Sequence, residues 1–205
     1  MQSALLLAVP AAEAVVGAHR ARLDSSARDG VPAHITVLYP FLPPAEIGPH
    51  VLAGLSRLFA GVPRFSFILD QVRWFDESVV WLGPADESPF RALTELAATA
   101  YPSCPPYGGA HPDTVPHLTI GHLGSPAGLR AAAEAVGPQL PIAAEATEVT
   151  LMAGPRPGRP PGSPGDWHTV ASFPLGWRAS STTSRLRGRY GLIRRDTTVD
   201  ITAAS

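Results

Sequence analysis

Ala33-His34-Ile35-Thr36-Val37 and Pro116-His117-Leu118-Thr119-Ile120 carry one pattern twice: histidine, apolar, threonine, apolar. Side chains two apart on a β-strand share a face, so each segment read as a strand presents an imidazole beside a hydroxyl and turns its apolar pair inward. The two histidines are 83 residues apart, each strand preceded by a proline-containing loop and followed by a helical pattern. This pseudo-repeat predicts two related lobes with a cleft between them.

Working outward, Ser3–Val9 reads as a strand and Pro10 opens a helix to Leu23, with Val15, Val16, His19 and Leu23 on one face. A loop from Asp24 to Pro32 leads into the first motif strand, His34–Tyr39. Pro40, Pro43 and Pro44 stop that strand, and Ala45–Phe59 reads as a helix. Phe65–Phe75 and Ser78–Leu82 form an expected hairpin across Asp76 and Glu77. Ser88 is placed to cap a helix with Pro89 at its first position, running to Ala100. The Pro/Gly-rich loop Tyr101–Pro116 delivers the second motif strand, His117–Leu123. A helix from Ser125-Pro126 to Val136, one long strand Ile142–Met152, a Pro/Gly connection Gly154–Gly165 and a strand Trp167–Leu175 complete the body.

A chain of 205 residues with 45% apolar content fits one soluble globular domain, or two small lobes sharing a core. The domain is read as 1–176, followed by an Arg-rich tail, 177–205, expected to be flexible. The tail holds six arginines against Asp196 and Asp200, a charge of +4, which leaves −5 for the body of a chain whose formal charge is −1. An acidic body argues against gripping long nucleic acid through its phosphates, and leaves a small anionic ligand or an RNA end. The lone Cys104 allows no internal disulfide, which points to a reducing, cytoplasmic setting. The apolar opening Ala4–Val9 is short and lacks a basic leader, so it reads as a strand rather than a signal peptide, and no segment reaches membrane-spanning length.

Opening a phosphodiester needs a base for the attacking oxygen and an acid for the departing one. Histidine, with an unperturbed pKa of about 6.5, serves either role near neutrality. Two histidines on opposite sides of one phosphorus therefore make a complete acid–base pair without a metal or cofactor. Each threonine can donate its hydroxyl to a non-bridging phosphate oxygen as charge builds. His122, at an odd offset from His117, is turned away from the cleft, whereas Gly121 falls on the cleft side and leaves room for ligand. Cys104 is incidental. A metal site from His34, His111, Asp113 and His117 lacks recognised ligand spacing.

At these motifs and their flanks, Val31-Pro32-Ala33 and Tyr39-Pro40-Phe41, the chain resembles the two-histidine phosphoesterase superfamily, in the group labelled 2'-5' RNA ligase or cyclic phosphodiesterase. The resemblance covers residues 1 to 176. It implies an α+β, bilobal, pseudo-twofold fold with two antiparallel sheets lining a central cleft and helices outside. It also implies metal-independent chemistry on 2',3'-cyclic phosphates, giving a 2'-phosphate, or on 2'-5' linkages. By motif position His34 and His117 are the catalytic pair and Thr36 and Thr119 hold the phosphate. The implied partner is a small nucleotide or RNA end, with no membrane and no obligate protein partner. Tyr107, in the loop before the second motif, is the candidate substrate lid. Tyr39, Trp74 and Trp81 read as core aromatics. The alternative is a module of the same fold that binds a nucleotide or RNA end without turnover.

Overall fold

A computed structural model describes residues 1–110, 113–155 and 166–176. Two four-stranded antiparallel sheets form it, ordered β2-β1-β7-β8 and β5-β4-β3-β6. The strands are β1 Gln2–Ala8, β2 His34–Leu38, β3 Phe65–Phe75, β4 Val79–Pro84, β5 Leu118–Gly121, β6 Ile142–Ala146, β7 Glu148–Gly154 and β8 His168–Pro174. The helices are α1 Pro10–Leu23, α2 Ser25–Arg28, α3 Pro49–Ala60, α4 Ser88–Ala100 and α5 Pro126–Val136.

The pseudo-repeat is a strand–helix–strand unit. In the first copy β1, α1 and β2 place the motif on the edge of one sheet, and in the second β4, α4 and β5 do the same in the other. The helices cross over, because α1 packs against β5 and α4 against β2, and the two edge strands β2 and β5 meet. Proline at the first or second position starts α1, α3, α4 and α5, where its missing N–H costs nothing. Ser125 caps α5 by accepting from the Gly128 N–H at 3.2 Å.

One core joins both sheets to their helices. Leu5, Leu7, Ile35 and Val37 from the first sheet and Leu69, Val80, Leu82, Leu118 and Ile120 from the second pack with Val16, Leu55, Phe59, Phe90, Leu93 and Leu129. Each such burial contributes about 1.5–3 kcal/mol, so a one-residue slip of a motif strand, which would turn its apolar pair to water, is strongly opposed. The histidine and threonine of each motif are thereby forced onto the opposite face.

Four local expectations change. The stretch read as one strand, Ile142–Met152, breaks at Thr147: β6 pairs with β3 and β7 with β1, so the chain steps from one sheet to the other. The helix expected from Ala45 begins as a 3-10 turn, Pro44–Glu46, and becomes α-helical only after Gly48. Ser88 is the first residue of α4 rather than its cap, and its N–H donates to Asp86 Oδ1 at 2.9 Å. The loop after α1 contains the short α2, whose N-cap Asp24 accepts from the Ser26 N–H. The tail, 177–205, lies outside the described residues.

Candidate active site

On β2, His34 and Thr36 stand opposite Ala8 and Leu6 of β1, on the face away from Ile35 and Val37. On β5, Thr119 lies opposite Trp81 of β4, with Leu118 and Ile120 in the core. The two imidazoles are close enough for charge on His117 to disfavour charge on His34. Both rings are held alike. His34 Nδ1 lies 2.7 Å from the Pro32 carbonyl and His117 Nδ1 2.8 Å from the Val115 carbonyl, in each case two residues upstream. A carbonyl only accepts, so Nδ1 carries the proton on both rings and Nε2 keeps its lone pair.

Burial lowers the His34 imidazole from 6.5 to about 4. The Pro32 carbonyl and Asp24 raise it, while Arg20 and His117 lower it. Burial also lowers His117, against the Val115 carbonyl. Both rings therefore rest neutral at pH 7.

The surroundings differ. His117 sits in an aromatic box: its ring meets Phe75 edge-on at 5.0 Å and Trp81 at 5.8 Å, and Phe75 stacks on Trp81 at 4.7 Å. The Arg73 guanidinium lies over Trp81 at 5.6 Å and pairs with Glu87 at 3.1 Å. Trp81 is buried, yet it faces the cleft side beside His117 rather than the core that takes its neighbours Val80 and Leu82. Its Nε1 is the one buried side-chain polar atom without a partner among the described residues. Trp74, by contrast, packs on the core as expected.

Tyr39 also moves. The β1–β2 register slips between Leu5 and Leu6, so Val37 and Leu38 both enter the core and Tyr39 returns to the cleft face. There it packs beside Trp167 with Ala4, Leu6, Val31 and Met152, and donates from its hydroxyl to Gln2 Oε1 at 2.7 Å. Trp167 lies flat over Gly154, where a Cβ would come within 2.4 Å of the indole.

A second slip corrects the reading of Gly121. Register shifts between Trp81–Thr119 and Val80–Gly121, and a Cβ on Gly121 would meet Leu23 Cβ at 2.6 Å and Leu129 Cδ2 at 3.2 Å. Its missing side chain admits the end of α1, not a ligand. His122 packs at the junction of α1 and α2: its N–H donates to the Leu23 carbonyl, its Nε2 lies 3.0 Å from Ser25 Oγ and its Nδ1 3.7 Å from Asp24 Oδ1.

Tyr107 comes to the site from its loop. Its N–H donates to the Tyr39 carbonyl at 2.6 Å and its side chain hydrogen-bonds Thr36. Burial raises its phenol, with the Thr36 bond opposing. Asp113 is engaged elsewhere, in a pair with Arg91 at 2.5 Å, and His111 lies outside the described residues. Cys104 is a buried core residue.

Residues 8–156 match the 2'-5' RNA ligase superfamily. The chain belongs to this superfamily of two-histidine phosphoesterases. Among solved structures it is similar to TT0787 of Thermus thermophilus, at 18% identity over 86% of this chain and 99% of that one, with a TM-score of 0.56. It is similar to E. coli LigT in apo form, at 19% identity over 85% and 97% with a TM-score of 0.53. LigT complexed with 3'-AMP gives 20% identity over 85% and 97%, with a TM-score of 0.51. At such identities these likenesses speak for the α+β fold, and comparison with curated proteins gives no match. Among the described residues no helix is long and apolar enough to cross a membrane.

Proposed function

We propose that this cleft opens 2',3'-cyclic phosphates on a nucleotide or RNA end by acid–base catalysis between His34 and His117, leaving the phosphate on the 2' oxygen. The carrying observation is the matched pair of imidazoles, each with Nδ1–H tied to the carbonyl two residues upstream and Nε2 without a hydrogen bond among the described residues. One Nε2 takes a proton from water as the water oxygen bonds phosphorus. The P–O3' bond breaks, and the other imidazole, entering protonated, gives its proton to O3'. Thr36 and Thr119 donate to the non-bridging oxygens, whose charge grows in the transition state. With a 5'-hydroxyl in place of water the same step forms a 2'-5' linkage, and its reverse cleaves one. None of this requires a metal or cofactor.

A small nucleotide or RNA end suits an acidic body, since the phosphate is met by hydroxyls and imidazoles rather than by a broad basic field. The complex of the structural relative LigT with 3'-AMP supports the same class. The buried thiol of Cys104 suits a reducing cytoplasm. Replacing His34 or His117 by Ala is expected to slow hydrolysis of 2',3'-cyclic AMP by about 100- to 10,000-fold with the circular dichroism unchanged. Activity retained in both variants overturns the proposal. The burial that keeps both rings neutral favours a second reading, a module that binds a nucleotide or RNA end without turnover. Wild-type protein that binds cyclic nucleotides and 2'-5' dinucleotides yet yields no product decides for it.

A further inference from the structure

We infer that Arg20 is a positioning residue for His34, acting through the bend 31–33; this rests on the reading of His34 as half of the acid–base pair. Arg20 lies on α1, is 2% exposed, and forks onto Asp24, itself 1% exposed, through Nε at 3.1 Å and Nη2 at 2.9 Å. The same Nη2 donates to the Val31 carbonyl at 3.3 Å and to Ser26 Oγ at 3.4 Å. Glu13, about two turns earlier on α1, stands 3.8 Å from Arg20 Nη1 and accepts from the Ala33 N–H at 2.5 Å. The Val31 N–H donates to the Ser26 carbonyl, and the Ala33 carbonyl accepts from the Val9 N–H. Every polar backbone group flanking Pro32 is thus tied, and the Pro32 carbonyl is the group that holds His34 Nδ1–H.

Burying a guanidinium is costly unless it is fully paired, and filling this volume calls only for an apolar side chain. What the guanidinium adds is direction. It fixes one carboxylate and one carbonyl at once, which an aliphatic chain cannot do and an ammonium does less rigidly. It also sets the field at His34, where Arg20 and Asp24 act in opposite senses and His117, just before β5, adds to the effect of Arg20. Glu13 stands on the Ala33 side, and His122 faces Asp24 from the end of β5.

The test is imidazole nitrogen NMR of the full chain with pH-dependent kinetics on Arg20→Met, Arg20→Lys and Arg20→Met/Asp24→Asn, the His34 signals assigned by their loss in His34→Gln. In Arg20→Met the Nε2–H tautomer of His34 is expected to gain population and its titration midpoint to rise, because a positive charge is lost and Asp24 is uncovered. His117 keeps its tautomer, and kcat falls by up to about 100-fold with KM little changed. Arg20→Lys keeps the charge, hence the low midpoint, but loses the fork and part of kcat. A His34 tautomer and midpoint equal to wild type in Arg20→Met, or a lower Tm as its sole effect, overturns the inference. Should Arg20→Met not fold, the double variant, which removes both buried charges of the pair, decides by the same tautomer reading: an unchanged His34 overturns the inference and a shifted one supports it. A shifted tautomer in a protein whose wild type hydrolyses no cyclic phosphate supports the positioning role and counts against the catalytic reading alone.

Discussion

The two motif strands hold their histidines in one pose by different means. Behind His34 lies a polar clamp of buried Arg20 and Asp24, exposed Glu13 and the backbone of 31–33, whereas His117 is walled by Phe75 and Trp81 and, among the described residues, has no buried charge bonded to its upstream carbonyl. What the halves share is backbone: an Nδ1–H to the carbonyl two residues before, at 2.7 and 2.8 Å. The lesson is that the short motif sets the ring's local hydrogen bond, and the lobe around it decides how stiffly and in what field the ring is kept.

The strongest way to break this comparison short of removing an imidazole is through the threonines. If the halves are equivalent at the phosphate, Thr36→Val and Thr119→Val each lower kcat by about 100-fold, as loss of one transition-state donor typically does, and Ser restores most of it. Single-turnover rates on 2',3'-cyclic AMP measure this. A loss confined to one strand would make the site one-sided.

Trp81 probes the aromatic half. Trp81→Ala removes a buried ring beside His117 and is expected to cost about 3–5 kcal/mol in denaturant unfolding. Trp81→Phe keeps the stacking surface and deletes the unpartnered Nε1–H, so its stability is expected to stay within about 1 kcal/mol of wild type or to exceed it. The same replacement should leave the His34 titration untouched, since the ring contacts of Trp81 among the described residues, with Phe75, His117 and Arg73, lie on the His117 side.

Much of this arrangement was legible in the strand period. The histidine and threonine of each motif share a face, and Pro10, Ser125-Pro126 and the β3–β4 hairpin fall where the local chemistry puts them. Where the reading failed, the period itself was interrupted. The slip in β1–β2 turned Tyr39 to the cleft, the slip in β4–β5 turned Gly121 to α1, and the break at Thr147 sent one apparent strand into two sheets. Such bulges answer to sheet twist and to helices packed from distant sequence, which a count of alternating residues does not contain. Trp81 was recognisable as buried, but burial alone does not say which face of a sheet a ring lies on. The Arg20 clamp left no sequence signal beyond a helical arginine four residues before an aspartate.

Acid acts on both halves in stability, in the same direction. His34 is held near 4 in the folded state against about 6.5 unfolded, so between these values the unfolded chain binds the extra proton. Its contribution is complete above pH 6.5 and is lost as pH falls toward 4. Tm is therefore expected to drop over this window in wild type and to drop less in His34→Gln. His117→Gln should flatten the curve as well, in the same direction, because burial lowers that ring too. A Tm independent of pH here in wild type would show that neither ring is held neutral.

The smallest expected effect sharpens the comparison where a side chain from the loop of the second motif meets a motif residue of the first. Tyr107 reaches from the loop that leads into the second motif and bonds Thr36 of the first. Its hydroxyl thus engages the group proposed to meet the phosphate, and substrate has to displace it. Tyr107→Phe deletes about 1 kcal/mol of net hydrogen bonding from the unliganded site while keeping the ring, so KM for a cyclic nucleotide is expected to fall by about fivefold with kcat within about twofold. Tyr107→Ala removes the ring as well, and for a lid that covers substrate KM should then rise. Opposite movements of KM in the two variants separate the hydroxyl's competition from the ring's cover, and a parallel rise in both would mean that the hydroxyl itself binds substrate.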